Sequence, residues 1–256
     1  MIETLIPIIV IIFVGAIAGY LSSFLLLKRM VLVGDVLSHV ALPGMGIALL
    51  LNIDVFYGAL ASLLLAVVGI WWLNQKTKLT EESLVGIFFT FALAIGTLII
   101  PRPELLESLF GDISKIGRTD AALSIIISLI ILSILFLFSG KLLFSMVSED
   151  LAKVSKINVS LVNFIFLILV GLTVALAVKI IGTLLVGALL IMPAASSKNI
   201  SKNFSQFVFM STLFGIAGGL AGILLSINVS IAPGPAVVLS SIVIFAFSLI
   251  FRLSHL

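Results

Sequence analysis

Asp35 and His39 stand four residues apart in the run Gly34-Asp35-Val36-Leu37-Ser38-His39-Val40-Ala41-Leu42-Pro43-Gly44. An i, i+4 spacing puts both on one face of a helix. A carboxylate beside an imidazole offers one oxygen and one nitrogen donor, a set suited to Zn²⁺, Mn²⁺ or Fe²⁺. Two ligands are too few for tight capture, and a carrier that must release its cargo needs weak capture. The chain has no cysteine, so neither thiolate ligands nor disulfides enter, which argues against a soft Cu(I) path.

The surroundings of this pair are apolar. Hydrophobic residues make up 62% of 256 residues and charged residues 10%, with a mean hydropathy of +1.41. Soluble domains carry roughly 25% charged residues. A water-soluble fold of this size has no means of burying so much apolar surface, and a bilayer does. The basic pair Lys28-Arg29 precedes the run and belongs at the headgroups. Ten residues on, at about 1.5 Å each, His39 lies roughly 15 Å deep, half of a hydrocarbon core of about 30 Å. Asp35 falls one turn nearer the cytoplasm.

Burying an aspartate in lipid costs about 2.5–3.5 kcal/mol even on insertion scales, so it needs a pathway or a partner. Three readings of the pair are open at this point. It can hold an ion in transit, or relay protons. Alternatively, Asp35 caps a helix beginning at Val36, as aspartate often does, with His39 hydrogen-bonded in the bundle.

Apolar runs long enough to span are Leu5–Leu27, Val55–Leu73, Ser83–Ile100, Ala121–Phe138, Ser160–Val178 and Gln206–Ile227. Three more, Leu32–Leu51, Ile180–Ala195 and Ala236–Phe251, are shorter or carry polar residues. All are expected to be helices, since a helix satisfies its own backbone in lipid and the runs lack strand alternation. The expected fold is an all-α integral membrane protein, a polytopic bundle of about eight to nine transmembrane helices forming a single domain over residues 1–256. The N-terminus is acidic at Glu3 and does not read as a cleaved signal.

Counting nine spans with the N-terminus outside, ten Lys and Arg residues fall on one side and four on the other. The positive-inside rule then places the C-terminus and the 140–159 loop in the cytoplasm. Within 141–158, Leu142, Leu143, Met146, Val147, Leu151, Val154 and Ile157 recur at helical spacing between Glu149, Asp150, Lys153 and Lys156. This amphipathic pattern fits a helix on the headgroups or a docking helix for a cytoplasmic partner. Asp54 and Asp112 read as loop or cap residues, His255 as a solvated tail residue, and Lys179 as a snorkelling span end. No Walker A motif, zinc-hydrolase spacing, nucleophile elbow or nucleic-acid patch is present, so an enzyme has no site here.

The chain resembles the permease subunits of the zinc/manganese/iron ABC importers along nearly its whole length. The resemblance is carried by Lys28-Arg29-Met30 through Gly34-Asp35-x-x-Ser38-His39-x-x-Leu42-Pro43-Gly44, by Thr80-Glu81-Glu82-Ser83-Leu84-Val85-Gly86-Ile87, by Leu109-Phe110-Gly111-Asp112-Ile113 and by the stretch from Ile181 to Ala195. It implies that Asp35 and His39 contact the ion at mid-depth, with no permanently bound cofactor. It also implies that Glu149, Asp150, Leu151 and Ala152 face an ATPase which uses the ATP. The family's Gly shortly after that segment is departed from, with Lys156 near the position. The implied partners are a second copy of the chain, two copies of a cytoplasmic ATP-binding subunit and an extracytoplasmic metal-binding protein, in the cell membrane and without nucleic acid. A gradient-driven transporter or channel, using Asp35 and His39 as a relay, is the alternative from another class.

Overall fold

The structure, a computed structural model, describes residues 2–99, 117–183 and 186–253. They form α1 (Ile2–Leu27), α2 (Val33–Val40), α3 (Leu42–Leu50), α4 (Val55–Lys76), α5 (Glu81–Ile99) and α6 (Arg118–Val147). There follow α7 (Glu149–Val154), α8 (Val159–Ile181), α9 (Val186–Ile200), α10 (Phe204–Val229) and α11 (Pro233–Leu253). No strand occurs among the described residues. The expected motif at 109–113, with Asp112, and the tail residue His255 lie outside them.

Among the described residues, eight segments are long and apolar enough to cross a membrane, α2 and α3 together making one of them over Val33–Leu50. Their outward faces are apolar, with Leu98 86% exposed, Leu137 76% and Phe136 74%. In water such surfaces would associate, and in lipid they are at rest. Many hydroxyls inside the spans bond back to their own helix. Ser133, Thr173 and Thr212 each donate to the carbonyl four residues earlier, at 2.8, 2.8 and 2.9 Å. This is how a polar side chain tolerates a medium without water.

The bundle has two marked ends. At one, Lys28 Nζ pairs with Glu81 Oε2 at 3.1 Å, donates to Asn163 Oδ1 at 3.0 Å and lies 5.2 Å from the Phe166 ring centroid. At the other, Lys179 Nζ pairs with Asp120 Oδ1 at 2.9 Å and Asp54 Oδ2 at 3.8 Å, with Phe56 beneath it. Lys179 is thus an ion-pair centre joining α4, α6 and α8, and Asp54 also caps α4 by accepting from Phe56 N–H at 2.8 Å. α8 carries Asn163 near one end and Lys179 near the other, and it is the most buried span.

α1 and α10 run antiparallel in close contact. A Cβ on Gly15 would lie 2.6 Å from the Gly215 carbonyl oxygen, and Phe24 meets the Phe204 ring edge-on at 5.7 Å. Close backbone approach through small residues is what holds helices together in lipid, where apolar burial gives no drive.

The expected span Ile180–Ala195 does not exist as one helix. α8 continues to Ile181, and Gly182 then takes φ 78°, outside the helical region. α9 follows with 15 residues, about 22 Å of rise, which is short for a span. Arg252 donates to Asn199 at 3.3 Å, so the end of α11 shares the Lys28 end with the end of α9. The start of α1 and the end of α11 therefore lie at opposite ends of the bundle. The return path from Lys179 runs through Gly182, Thr183 and the short α9.

The 141–158 stretch also divides. α6 extends through Val147, so Lys141 to Val147 are its last turns rather than a loop, and α7 is only six residues. Its end is closed by Lys156 at φ 59°, with Ile157 N–H bonded to Ala152 O at 2.9 Å. That six-to-one bond defines a Schellman closure, which favours glycine at the left-handed position.

Candidate metal pathway site

α2 is an eight-residue helix whose N-cap is Leu32, with no side-chain cap hydrogen bond. The capping reading of Asp35 therefore fails. Its backbone is already helical, two residues after Val33 at the first helical position. The carboxylate is half-buried and takes no part in ending the helix. His39, also half-buried, meets Phe89 of α5 edge-on at 5.5 Å between centroids. Its Nδ1 is buried and has no hydrogen-bond partner. A buried polar atom left without a partner costs free energy, so each one calls for an explanation.

Between the two, Ser38 is fully buried and shares its hydroxyl with two carbonyls, those of Asp35 at 2.6 Å and of Thr183 at 2.5 Å. The second bond ties the helix carrying the pair to the break between α8 and α9. α9 then packs on α2 through missing side chains: Gly187 lies against Asp35, and Gly34 against Leu190. Asp35 and His39 are thus held by three neighbours, with α5 at the imidazole, α9 at the carboxylate and the Gly182–Thr183 break at Ser38.

Among the described residues no group of three or more His, Cys, Asp or Glu comes together. The described residues of one chain thus offer Asp35 and His39 as a pair. The sequence alone did not single out Phe89, Thr183 or Gly187 for this site. Gly182-Thr183 was a visible signal, because a glycine followed by a hydroxyl residue interrupts an otherwise apolar run.

The other predicted site residues lie at the Lys28 end. Glu149, Asp150, Leu151 and Ala152 lie in α7, which packs on α6 and α8. Ala152 is fully buried, Asp150 is exposed and Leu151 is 56% exposed. Val147 and Val154 extend this apolar patch.

A bundle of membrane-spanning helices with a carboxylate–imidazole pair on a broken inner helix is the architecture of a polytopic transport protein. The chain belongs to the ABC 3 transport family, whose model matches residues 1–252. It is 30% identical over 242 residues to the manganese transport system membrane protein MntC of Listeria monocytogenes, covering 93% of this chain and 86% of that protein. It is 34% identical over 238 residues to the high-affinity zinc uptake system membrane protein ZnuB of Buchnera aphidicola, covering 91% of each. Its structure matches PsaBC from Streptococcus pneumoniae, solved in complex with Fab, with a TM-score of 0.82. That match is at 29% identity and covers 94% of this chain and 89% of that one.

Proposed function

We propose that this protein is the permease subunit of an ATP-driven importer for divalent metal ions, manganese or zinc foremost and iron within the same donor chemistry. The observation that carries the reading is the state of the pair on α2: a carboxylate free of capping duty beside an imidazole whose Nδ1 is buried without a partner. The names of the two relatives, one a manganese and one a zinc system, support the class of cargo.

A second copy of the chain supplies the same two ligands again, so an ion on the dimer axis meets up to four. Two His and two Asp donors with room for water suit Mn²⁺ and Zn²⁺ alike. An extracytoplasmic binding protein delivers the ion at the Lys179 end. The Lys28 end, with α7 and the C-terminus, faces the cytoplasm, in keeping with its excess of Lys and Arg. There the segment Glu149, Asp150, Leu151 and Ala152 meets a separate ATPase, which docks on its exposed Asp150 and Leu151. The exposed Val147, Leu151 and Val154 give that partner an apolar anchor. The chain has no Walker A motif of its own, so ATP is used by that partner.

The test is uptake by the complete transporter. Asp35→Ala and His39→Ala are each expected to abolish metal uptake while the permease still co-purifies with its ATPase. Uptake surviving both substitutions would refute the site.

A further inference from the structure

Most hydroxyls in the spans find a carbonyl one turn back, as Thr173 and Thr212 do. Two described hydroxyls, those of Ser128 on α6 and Thr183, are fully buried with no hydrogen-bond partner. Of these, Thr183 lies beside the Asp35–His39 helix, through its carbonyl bond to Ser38. Its hydroxyl lacks a partner because of the backbone: Gly182 at φ 78° has left the helix, so no i−4 carbonyl is presented to Thr183. A buried hydroxyl without a partner is unfavourable and would be expected to be replaced by an apolar residue unless something occupies it.

Its position says what. The Thr183 carbonyl is held by Ser38, which stands one residue from His39 and three from Asp35. Four residues further on, Gly187 lies against the Asp35 carboxylate. The second orphaned polar atom of the region, His39 Nδ1, lies on the same helix as Ser38. Two unsatisfied buried donors or acceptors thus flank the bond that ties α2 to the break after α8.

We propose that Thr183 contributes its hydroxyl oxygen to the ion passing Asp35 and His39, directly or through one bound water, and so biases the site toward oxygen-preferring cations. This rests on the reading of Asp35 and His39 given above. Mn²⁺ favours oxygen donors and water, whereas imidazole nitrogen suits Zn²⁺ well, so losing one neutral oxygen weakens Mn²⁺ more. Thr183 also sits on the break, so movement of α9 relative to α8 would carry this oxygen toward or away from the pair.

The experiment is equilibrium binding of Mn²⁺ and of Zn²⁺ to the permease–ATPase complex in lipid nanodiscs, for the wild type, Thr183→Val, Thr183→Ser and Asp35→Ala. Valine keeps the branched shape and removes the oxygen. Thr183→Val is expected to lower Mn²⁺ affinity about tenfold, the lower range for losing a supporting ligand group, with Zn²⁺ affected less. Thr183→Ser should retain the wild-type ratio. Equal loss for both metals, or none, would overturn the assignment, because a merely structural hydroxyl has no metal preference. If Thr183→Val does not fold, Thr183→Ala gives the same ratio test against Thr183→Ser. Binding lost in Asp35→Ala but an unchanged ratio in Thr183→Val sinks the role of Thr183 alone. Binding intact in Asp35→Ala sinks the pair and Thr183 with it.

Discussion

Gly187 of α9 lies so close to Asp35 of α2 that a Cβ added to it would stand 2.6 Å from the Asp35 Oδ1. The carboxylate therefore occupies the space that a side chain would take. Gly187→Ala is expected to push Asp35 aside and reduce metal binding by tenfold or more, while the chain still inserts and binds its ATPase. Metal binding by the purified complex checks this, and wild-type affinity in the alanine variant would show that the contact does not position the ligand.

The Lys28–Glu81 pair is shielded, with the two side chains 13% and 15% exposed. Removing the cation leaves Glu81 without its charged partner and Asn163 without its donor. Lys28→Ala is expected to destabilise the permease by about 1.5–3 kcal/mol, the range for charge-assisted hydrogen bonds. Glu81→Gln should cost less, since an amide oxygen can still accept. Thermal unfolding in detergent separates the two variants. The loss should persist in high salt, because shielded pairs are screened little.

Lys156 adopts φ 59° at the closure of α7, where an L-residue is strained and glycine is not. Lys156→Gly is expected to leave uptake intact and to stabilise the permease by about 0.5–1 kcal/mol. A lower unfolding midpoint for the glycine variant would mean that the lysine side chain makes a contact worth more than the strain.

α1 and α10 touch backbone to backbone, so the added volume has nowhere to go. The Cβ of a residue replacing Gly215 would collide with the Gly15 carbonyl oxygen, and one replacing Gly19 with the Ser211 backbone. Gly215→Ile is expected to separate the helices and remove most folded protein from the membrane fraction. A milder Gly215→Ala should lower the unfolding midpoint, and an unchanged midpoint would contradict the packing.

Membrane residence, the all-helical class and the Asp35–His39 pair were legible in the amino-acid sequence. Each depends on local facts: run length, hydropathy, and a four-residue spacing that any helix converts into one face. The same logic failed where a local pattern had two outcomes. Gly34-Asp35 can be read as a cap, but α2 begins at Val33, with Leu32 as N-cap and its carbonyl taking the first intrahelical bond from Val36 N–H. Ile180–Ala195 reads as a span, but Gly182 breaks it. Lys141 to Val147 reads as part of a separate amphipathic segment, but lies on the end of a 30-residue helix. Glu149, Asp150, Leu151 and Ala152 were visible as a segment, but not that Leu151 would be exposed and Ala152 buried. Only the tertiary structure brought Thr183 and Gly187 to α2, across a separation of about 150 residues. Hydropathy and periodicity carry no information about which distant backbone a helix will meet. That choice was decided by packing, where absent side chains and one shared hydroxyl let α9 and the break before it close on Asp35.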